Sequence, residues 1–502
     1  MYDLIIKNAT VIDGTGKENF AADVAIINGK IAKVAAGLTG SKDVIDAAGL
    51  VLTPGFIDSH SHSDLSLLKN PVQTMGVEQG ITFAVTGHCG GTLAPSSSPD
   101  GCATVQELFD RTVNVPMDHN IAVLVGHGTI RKKVIGTENR PVTDEELKQM
   151  EALLEESLQA GAIGMSLGLT YVPGSYSDIR ELTALAKVVA RHGGVVTAHI
   201  RNEGDTLIES VEEFLTVLKN SGCPGVISHL KAADKENWGK VKQCLAMVDA
   251  AEAEGVQVYA DAYPYCASAT SLLARFVPRQ FHPRGITRVV SLLDDPQMCK
   301  TLKAWATEKW GTDMSWVMMS SYPVNRDFNG KNINEIAEIM GMEDRYEAIY
   351  TLLRQSGGVG HAFFTMMCEE DVKYILSHPK VMIGTDSNMG NALTTHHPRR
   401  RGTFTRVLGK YVRDEGVTTL PEMIRRMTSL PAKVYGLSGK GIIKEGYDAD
   451  LCVFDPLTIQ DTADYVNCAS PNKGLHYVLI DGKVVLEDNV FNGTKAGKMF
   501  VR

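Results

Sequence analysis

Residues 55–62 read GFIDSHSH, an apolar run ending in two histidines separated by one serine. Alternate residues of a strand point to the same side, so both rings are expected to face one way. Seven further runs share this texture: ITFAVTG (81–87), IAVLVG (121–126), AIGMSLG (162–168), GVVTAHI (194–200), GVISHL (225–230), VQVYADAY (256–263) and VMIGTDS (381–387). Helical stretches such as 144–160 and 206–220 lie between most of them. Apolar strands alternating with helices imply parallel βαβ units covered on both faces. Eight such strands predict an α/β fold, a TIM (β/α)8 barrel.

The chain ends read differently. Residues 3–12 and 23–35 are β-branched runs separated by turns at Asp13-Gly14 and Asn28-Gly29. Residues 450–455 and 476–487 have the same character, the second broken by Asp481-Gly482. Isolated hairpins are marginal in water, so the two ends are expected to pair in one small β domain. The expected division is 1–54 plus 438–502 for that domain and 55–437 for the barrel. After Tyr263 the chain is too long for an ordinary βα loop, which places a lid-like insertion at about 266–330.

Composition narrows the function. The 502 residues are 44% hydrophobic and 22% charged, as in ordinary globular proteins. Lys and Arg total 50 against 59 Asp and Glu, a net charge of −9 that argues against nucleic acid or an anionic membrane as main partner. Nine scattered cysteines without a CxxC pair are expected to be reduced thiols of a cytoplasmic protein. The N-terminus lacks a signal-peptide pattern, and no apolar run reaches membrane-helix length. The oligomeric state is not readable.

The chemistry-bearing residues sit at strand ends. His60 and His62 end the first run, Cys89 follows the second, His199 and His229 end the fifth and sixth, and Asp386 ends the eighth. In a barrel the C-terminal strand ends converge on one mouth. Imidazoles, a thiolate and a carboxylate gathered there suit zinc. Each has a bland reading: Cys89 as a small buried hydrophobe, Asp386 as a helix cap. Recurrence at successive strand ends favours a metal site. Cys89 sits in GHCGG, where glycines let the backbone approach a ligand. His88 is expected to point away, His127 is equally structural or pocket-lining, and His396-His397 is expected to be loop.

These residues resemble the amidohydrolase superfamily: PGFIDSHSH on strand one, histidines ending strands five and six, an Asp ending strand eight. Within it, the chain resembles the D-aminoacylase (N-acyl-D-amino-acid deacylase) family along nearly its whole length. The stretches that carry this are GHCG at Cys89, GAIGMSLGLTYVPG (161–174), AHIRNEGD (198–205), SHLKA (228–232), DAYPY (261–265) and HPRRRGTF (397–404). Many superfamily members use a carboxylated lysine on strand four; AIGMSLG offers none, and the resemblance gives that bridging role to Cys89. It implies a tightly held zinc on Cys89, His199 and His229 and a second, weaker site on His60, His62 and the shared Cys89. Asp386 would be the acid/base. Lys231, with Tyr263 and Arg399, would bind a substrate carboxylate. The small β domain would be a sandwich, and the activity zinc-dependent hydrolysis of N-acyl-D-amino acids. A cyclic-amide hydrolase of the hydantoinase or dihydropyrimidinase type is the alternative, disfavoured by the missing lysine. A scaffold without activity would have lost ligands that are all present.

Overall fold

The computed structural model describes residues 1–277, 290–390 and 397–502. The N-terminal strands are β1 (Tyr2–Val11), β2 (Phe20–Ile27), β3 (Lys30–Ala35), β4 (Ser41–Asp46) and β5 (Val51–Pro54). Next come β6 (Phe56–Ser61), β7 (Ile81–Thr86), β8 (Asn120–Val123), β9 (Val125–Gly126), β10 (Gly164–Gly168), β11 (Val195–His199), β12 (Gly225–Ile227) and β13 (Val258–Ala262). Then follow β14 (Ala267–Ser271), β15 (Val317–Ser321), β16 (His361–Thr365), β17 (Val381–Ile383), β18 (Leu451–Phe454), β19 (Leu475–Ile480), β20 (Lys483–Glu487) and β21 (Val490–Phe491).

β6, β7 and β8 form one parallel sheet, and β9 through β13 with β17 form another of six strands. The chain passes from β8 to β9 through Leu124 alone, and a parallel bridge between Ser61 and Ser387 links the first strand to the end of the last. These strands are buried almost end to end, which explains their unbroken apolar runs. The intervening helices bury one stripe each. Asp144–Gln159 starts with a capping box, Thr143 accepting from the Glu146 amide while Glu146 reaches back. The architecture is a mixed α/β chain of TIM-barrel type, with strands at both termini.

The chain ends meet as expected: β18 pairs antiparallel with β5, Cys452 opposite Thr53, within one nine-stranded sheet. The last residues, which the sequence groups with that sheet, leave it. Phe500 donates its amide to Ile121, Met499 bridges Ile121, and the Phe500 ring packs on Phe83. An apolar tail thereby pairs with β8 and covers the bottom of the parallel strands.

The segment after β13 has its own antiparallel sheet, in the order β14, β16, β15. Pairing of Ala267 with Thr365 ties its two ends together. It therefore reaches well past residue 330. Beyond residue 330 it adds two helices, Ile333–Ile339 and Arg345–Gln355, whose buried residues join an aromatic-rich core. The chain rejoins the parallel strands through helix Glu369–Ser377.

Candidate metal centre

Two donor groups meet on one sulfur. Cys89, His199 and His229 form one; His60, His62, Cys89 and Asp386 form the other; in each, the donor atoms lie within 4.8 Å of one another. Cys89 Sγ is 3.5 Å from His60 Nε2, 3.5 Å from His229 Nε2 and 3.7 Å from His199 Nδ1. His62 Nε2 lies 3.1 Å from Asp386 Oδ1.

His60 and His199 sit on β6 and β11, while His62, Cys89, His229 and Asp386 lie just beyond strand ends. Cys89, His229 and Asp386 have φ of 57°, 37° and 48°, left-handed conformations that cost a non-glycine residue free energy and cluster at functional sites. Neighbouring hydrogen bonds hold them there: the His229 amide donates to Asp261 Oδ1 at 2.7 Å, and the Asp386 amide to the His60 carbonyl at 2.8 Å. The turn carrying Cys89 presses on the end of β10. A Cβ at Gly168 would stand 2.1 Å from the Cys89 carbonyl oxygen, and one at Gly90 would stand 2.7 Å from the Gly168 nitrogen. No longer side chain fits at Gly168.

Carboxylates behind the imidazoles orient them. Asp261 holds His60 Nδ1 at 3.1 and 3.2 Å, leaving Nε2 toward Cys89. Glu203 Oε1 lies 2.9 Å from His229 Nδ1, again leaving Nε2 toward the sulfur. This carboxylate-imidazole arrangement typifies metal ligands. Burial pushes the His199 ring well below the usual imidazole range and lowers the His229 ring too, favouring the neutral form a metal needs. Burial, with Asp386, Asp261 and Glu203 nearby, pushes the Cys89 thiol up. A divalent cation would hold it as thiolate. The donor set fits zinc.

The acid/base and carboxylate candidates surround this centre. Burial raises the Asp386 carboxyl, but Arg399, His229, His62 and His60 outweigh it and hold the group well below the usual range. Arg399 Nη1 is 2.8 Å from Asp386 Oδ2, and its guanidinium lies 4.7 Å over the Tyr263 ring. Lys231 Nζ sits 2.7 Å from His229 Nδ1, bonds to Glu203 and lies 5.6 Å over Tyr263. His229 and Lys231 lie beyond the end of β12, and the Glu203 carboxylate bonds both.

Three residues escaped the sequence reading. Asp261 and Glu203 stood in stretches already singled out, DAYPY and AHIRNEGD, without a role. His88 does not point away: its ring stacks on His60 at 4.0 Å and 22°. His127 is structural, its Nε2 2.7 Å from Glu181, which also pairs with buried Arg131. His397 is buried, with Nε2 2.9 Å from the Ala267 carbonyl, and His396 lies outside the described residues.

An amidohydrolase family model matches residues 43–486. D-aminoacylase of Alcaligenes xylosoxydans xylosoxydans is 33% identical, covering 100% of this chain and 98% of that protein. N-acyl-D-glutamate deacylase of the same organism is 34% identical, covering 96% and 93%. The N-acyl-D-glutamate deacylase of Bordetella bronchiseptica, solved with zinc and a phosphonate mimic of the tetrahedral intermediate, superimposes with a TM-score of 0.87 at 32% identity over 100% of both chains.

Proposed function

The chain belongs to the amidohydrolase family, and from that membership we propose that it hydrolyses N-acyl-D-amino acids to a free D-amino acid and a carboxylate, using zinc. The observation that carries this reading is the convergence of two donor groups on Cys89 Sγ, beside an ionised Asp386.

Cys89, His199 and His229 would hold one tightly bound zinc, with His60, His62 and Cys89 forming a weaker second site. Zinc supplies Lewis acidity, lowering the pKa of water from about 15.7 toward 7 and polarising an amide oxygen. The protein's own residues do the rest. Asp386 takes a proton from the attacking water and returns it to the leaving nitrogen. Lys231 and Arg399, both over the Tyr263 ring, face the substrate carboxylate and set which face of the stereocentre meets the water. Glu203 keeps Lys231 and His229 in register. β10 reads GMSLG and carries no lysine, which supports a linear-amide site over the lysine-bridged alternative.

We read the parallel strands as one closed eight-stranded barrel over 55–437 and the terminal sheet as a small β-sandwich of 1–54 with the C-terminal strands. The segment after β13 serves as a lid. None of the nine cysteines is in a disulfide, which supports a reducing, cytoplasmic setting. Among the described residues no helix is long and apolar enough to cross a membrane.

The test is hydrolysis of N-acetyl-D- and N-acetyl-L-amino acids by zinc-loaded and chelator-stripped protein. Activity on D-substrates that is lost on stripping and restored by zinc is expected. Equal action on both enantiomers, or zinc-independent turnover, contradicts the proposal.

A further inference from the structure

His397, expected to be loop, joins parts of the molecule that lie far apart in sequence. One cavity of about 750 Å³ runs from the metal donors to the insertion, with Arg399 and Tyr263 in its wall. Arg399 opens the helix Arg399–Arg406. The first amides of a helix have no partner inside it. Here one residue answers two of them: the Arg399 amide donates to His397 Nδ1 at 3.1 Å, and the Arg400 amide to the His397 carbonyl at 3.3 Å. Because Nδ1 accepts, Nε2 carries the proton and donates to the Ala267 carbonyl, at the start of β14. Burial, with Arg399 close by, holds the ring well below the usual imidazole range and so neutral.

The ring also fills a cage of four others. Tyr265, Phe363 and Tyr465 meet it edge-on, with centroids at 5.2, 5.1 and 5.1 Å, and Tyr263 at 6.3 Å. The two tyrosines 263 and 265 follow β13, Phe363 lies on β16 of the insertion, and Tyr465 comes from the segment between β18 and β19. One imidazole is thus bonded to the insertion at Ala267, packed on it at Phe363, and bonded to the backbone that carries Arg399. The Arg399 guanidinium in turn lies 2.8 Å from Asp386 Oδ2 and over the Tyr263 ring. Pairing of a guanidinium with a carboxylate is strongly directional, so a shift of the first helical turn would be felt at those contacts.

We propose that His397 is a positioning residue: it holds the Arg399 guanidinium beside Asp386 and the substrate carboxylate, and it ties that placement to the insertion. This rests on the deacylase reading of the metal centre and adds to it the residue through which the insertion acts on substrate affinity.

Two variants separate positioning from packing. His397→Phe fills the cage but makes neither hydrogen bond. His397→Asn leaves the cage underfilled but offers Oδ1 to the amide two residues on, a bond that Asn readily makes. The KM of zinc-loaded protein for N-acetyl-D-methionine should rise about tenfold or more in His397→Phe and stay within about threefold of wild type in His397→Asn, with zinc content unchanged in both. A cage needed only for stability damages the Asn variant more, and that order, or a tenfold rise in His397→Asn, overturns the proposal. Arg399→Met supplies the control. If His397 acts through the guanidinium, adding His397→Phe to it should change KM by less than about twofold, and additive losses contradict the proposal. Calorimetry with D-methionine, which has the carboxylate but no amide to cleave, reads the placement without turnover. Its affinity should fall about tenfold in His397→Phe. Unchanged affinity overturns the role of His397 whatever the turnover. A wild type that binds D-methionine with the expected loss in the variant, yet hydrolyses no N-acetyl-D-amino acid, upholds that role and contradicts the deacylase reading alone.

Discussion

Two sides of one cavity are built on different plans. At the mouth, Cys89, His229 and Asp386 hold left-handed backbone angles, and each polar side chain answers to another behind it: Asp261 behind His60, Glu203 behind His229. Across the cavity the insertion is held by rings. Buried Phe276 has Trp310, Trp316, Tyr346 and Phe364 within 6.3 Å, and Arg275 stacks into the same group. The mouth depends on the placement of individual atoms, and strained turns with few substitutes provide it. The insertion depends on packed volume, which tolerates exchange of side chains of similar size. Chemistry is therefore expected to be brittle at the mouth, while stability and substrate affinity respond at the insertion.

Cys89→Ala should break the comparison most severely at the mouth. It removes the only atom common to both donor groups, so zinc content and turnover should both collapse, with the fold retained by circular dichroism. Full zinc loading and activity would make Cys89 a packed thiol. Asp386→Asn comes next. It keeps shape but takes no proton, so kcat should fall by roughly 10²–10⁴-fold with zinc retained. Wild-type kcat would move proton transfer elsewhere.

Arg399→Met probes the electrostatics of the same pair. Arg399 is the largest influence lowering the Asp386 pKa, opposed by burial, which raises it. With the guanidinium gone the carboxylate takes up its proton at higher pH. The base is lost as pH falls, so the acid limb of the kcat profile should move to higher pH. A limb that stays in place would show that another group sets it.

Phe276→Ala sharpens the other side. Truncating a fully buried ring costs about 3–5 kcal/mol, and here the loss should stay within the insertion. Limited proteolysis should cut residues of the insertion sooner, while zinc content stays at the wild-type level. Loss of zinc would show that mouth and insertion are not separable.

How much of this was legible in the sequence follows the same division. His60, His62, Cys89, His199, His229 and Asp386 were readable because buried parallel strands are unbroken apolar runs, and a ligand-type residue ending several of them has few other uses. Asp261 and Glu203 were not, because their meaning lies in which imidazole or amide they meet across the ring. Lys231 lies past the end of β12, and only the folded chain shows that Glu203 holds it beside His229. The reach of the insertion was hidden as well. HAFFT at 361–365 looks like any short strand until it pairs with residues 267–271. The C-terminal tail carries too little pattern to announce that it returns to β8.

The most direct test of the central claim is the hydrolysis of racemic N-acetyl-methionine by zinc-loaded protein, followed to completion with chiral separation of the products. Release is expected to stop at half conversion, with D-methionine free and the L-substrate untouched. Conversion past half with L-methionine released would contradict it, as would no release from a preparation that rapidly opens hydantoin or dihydrouracil.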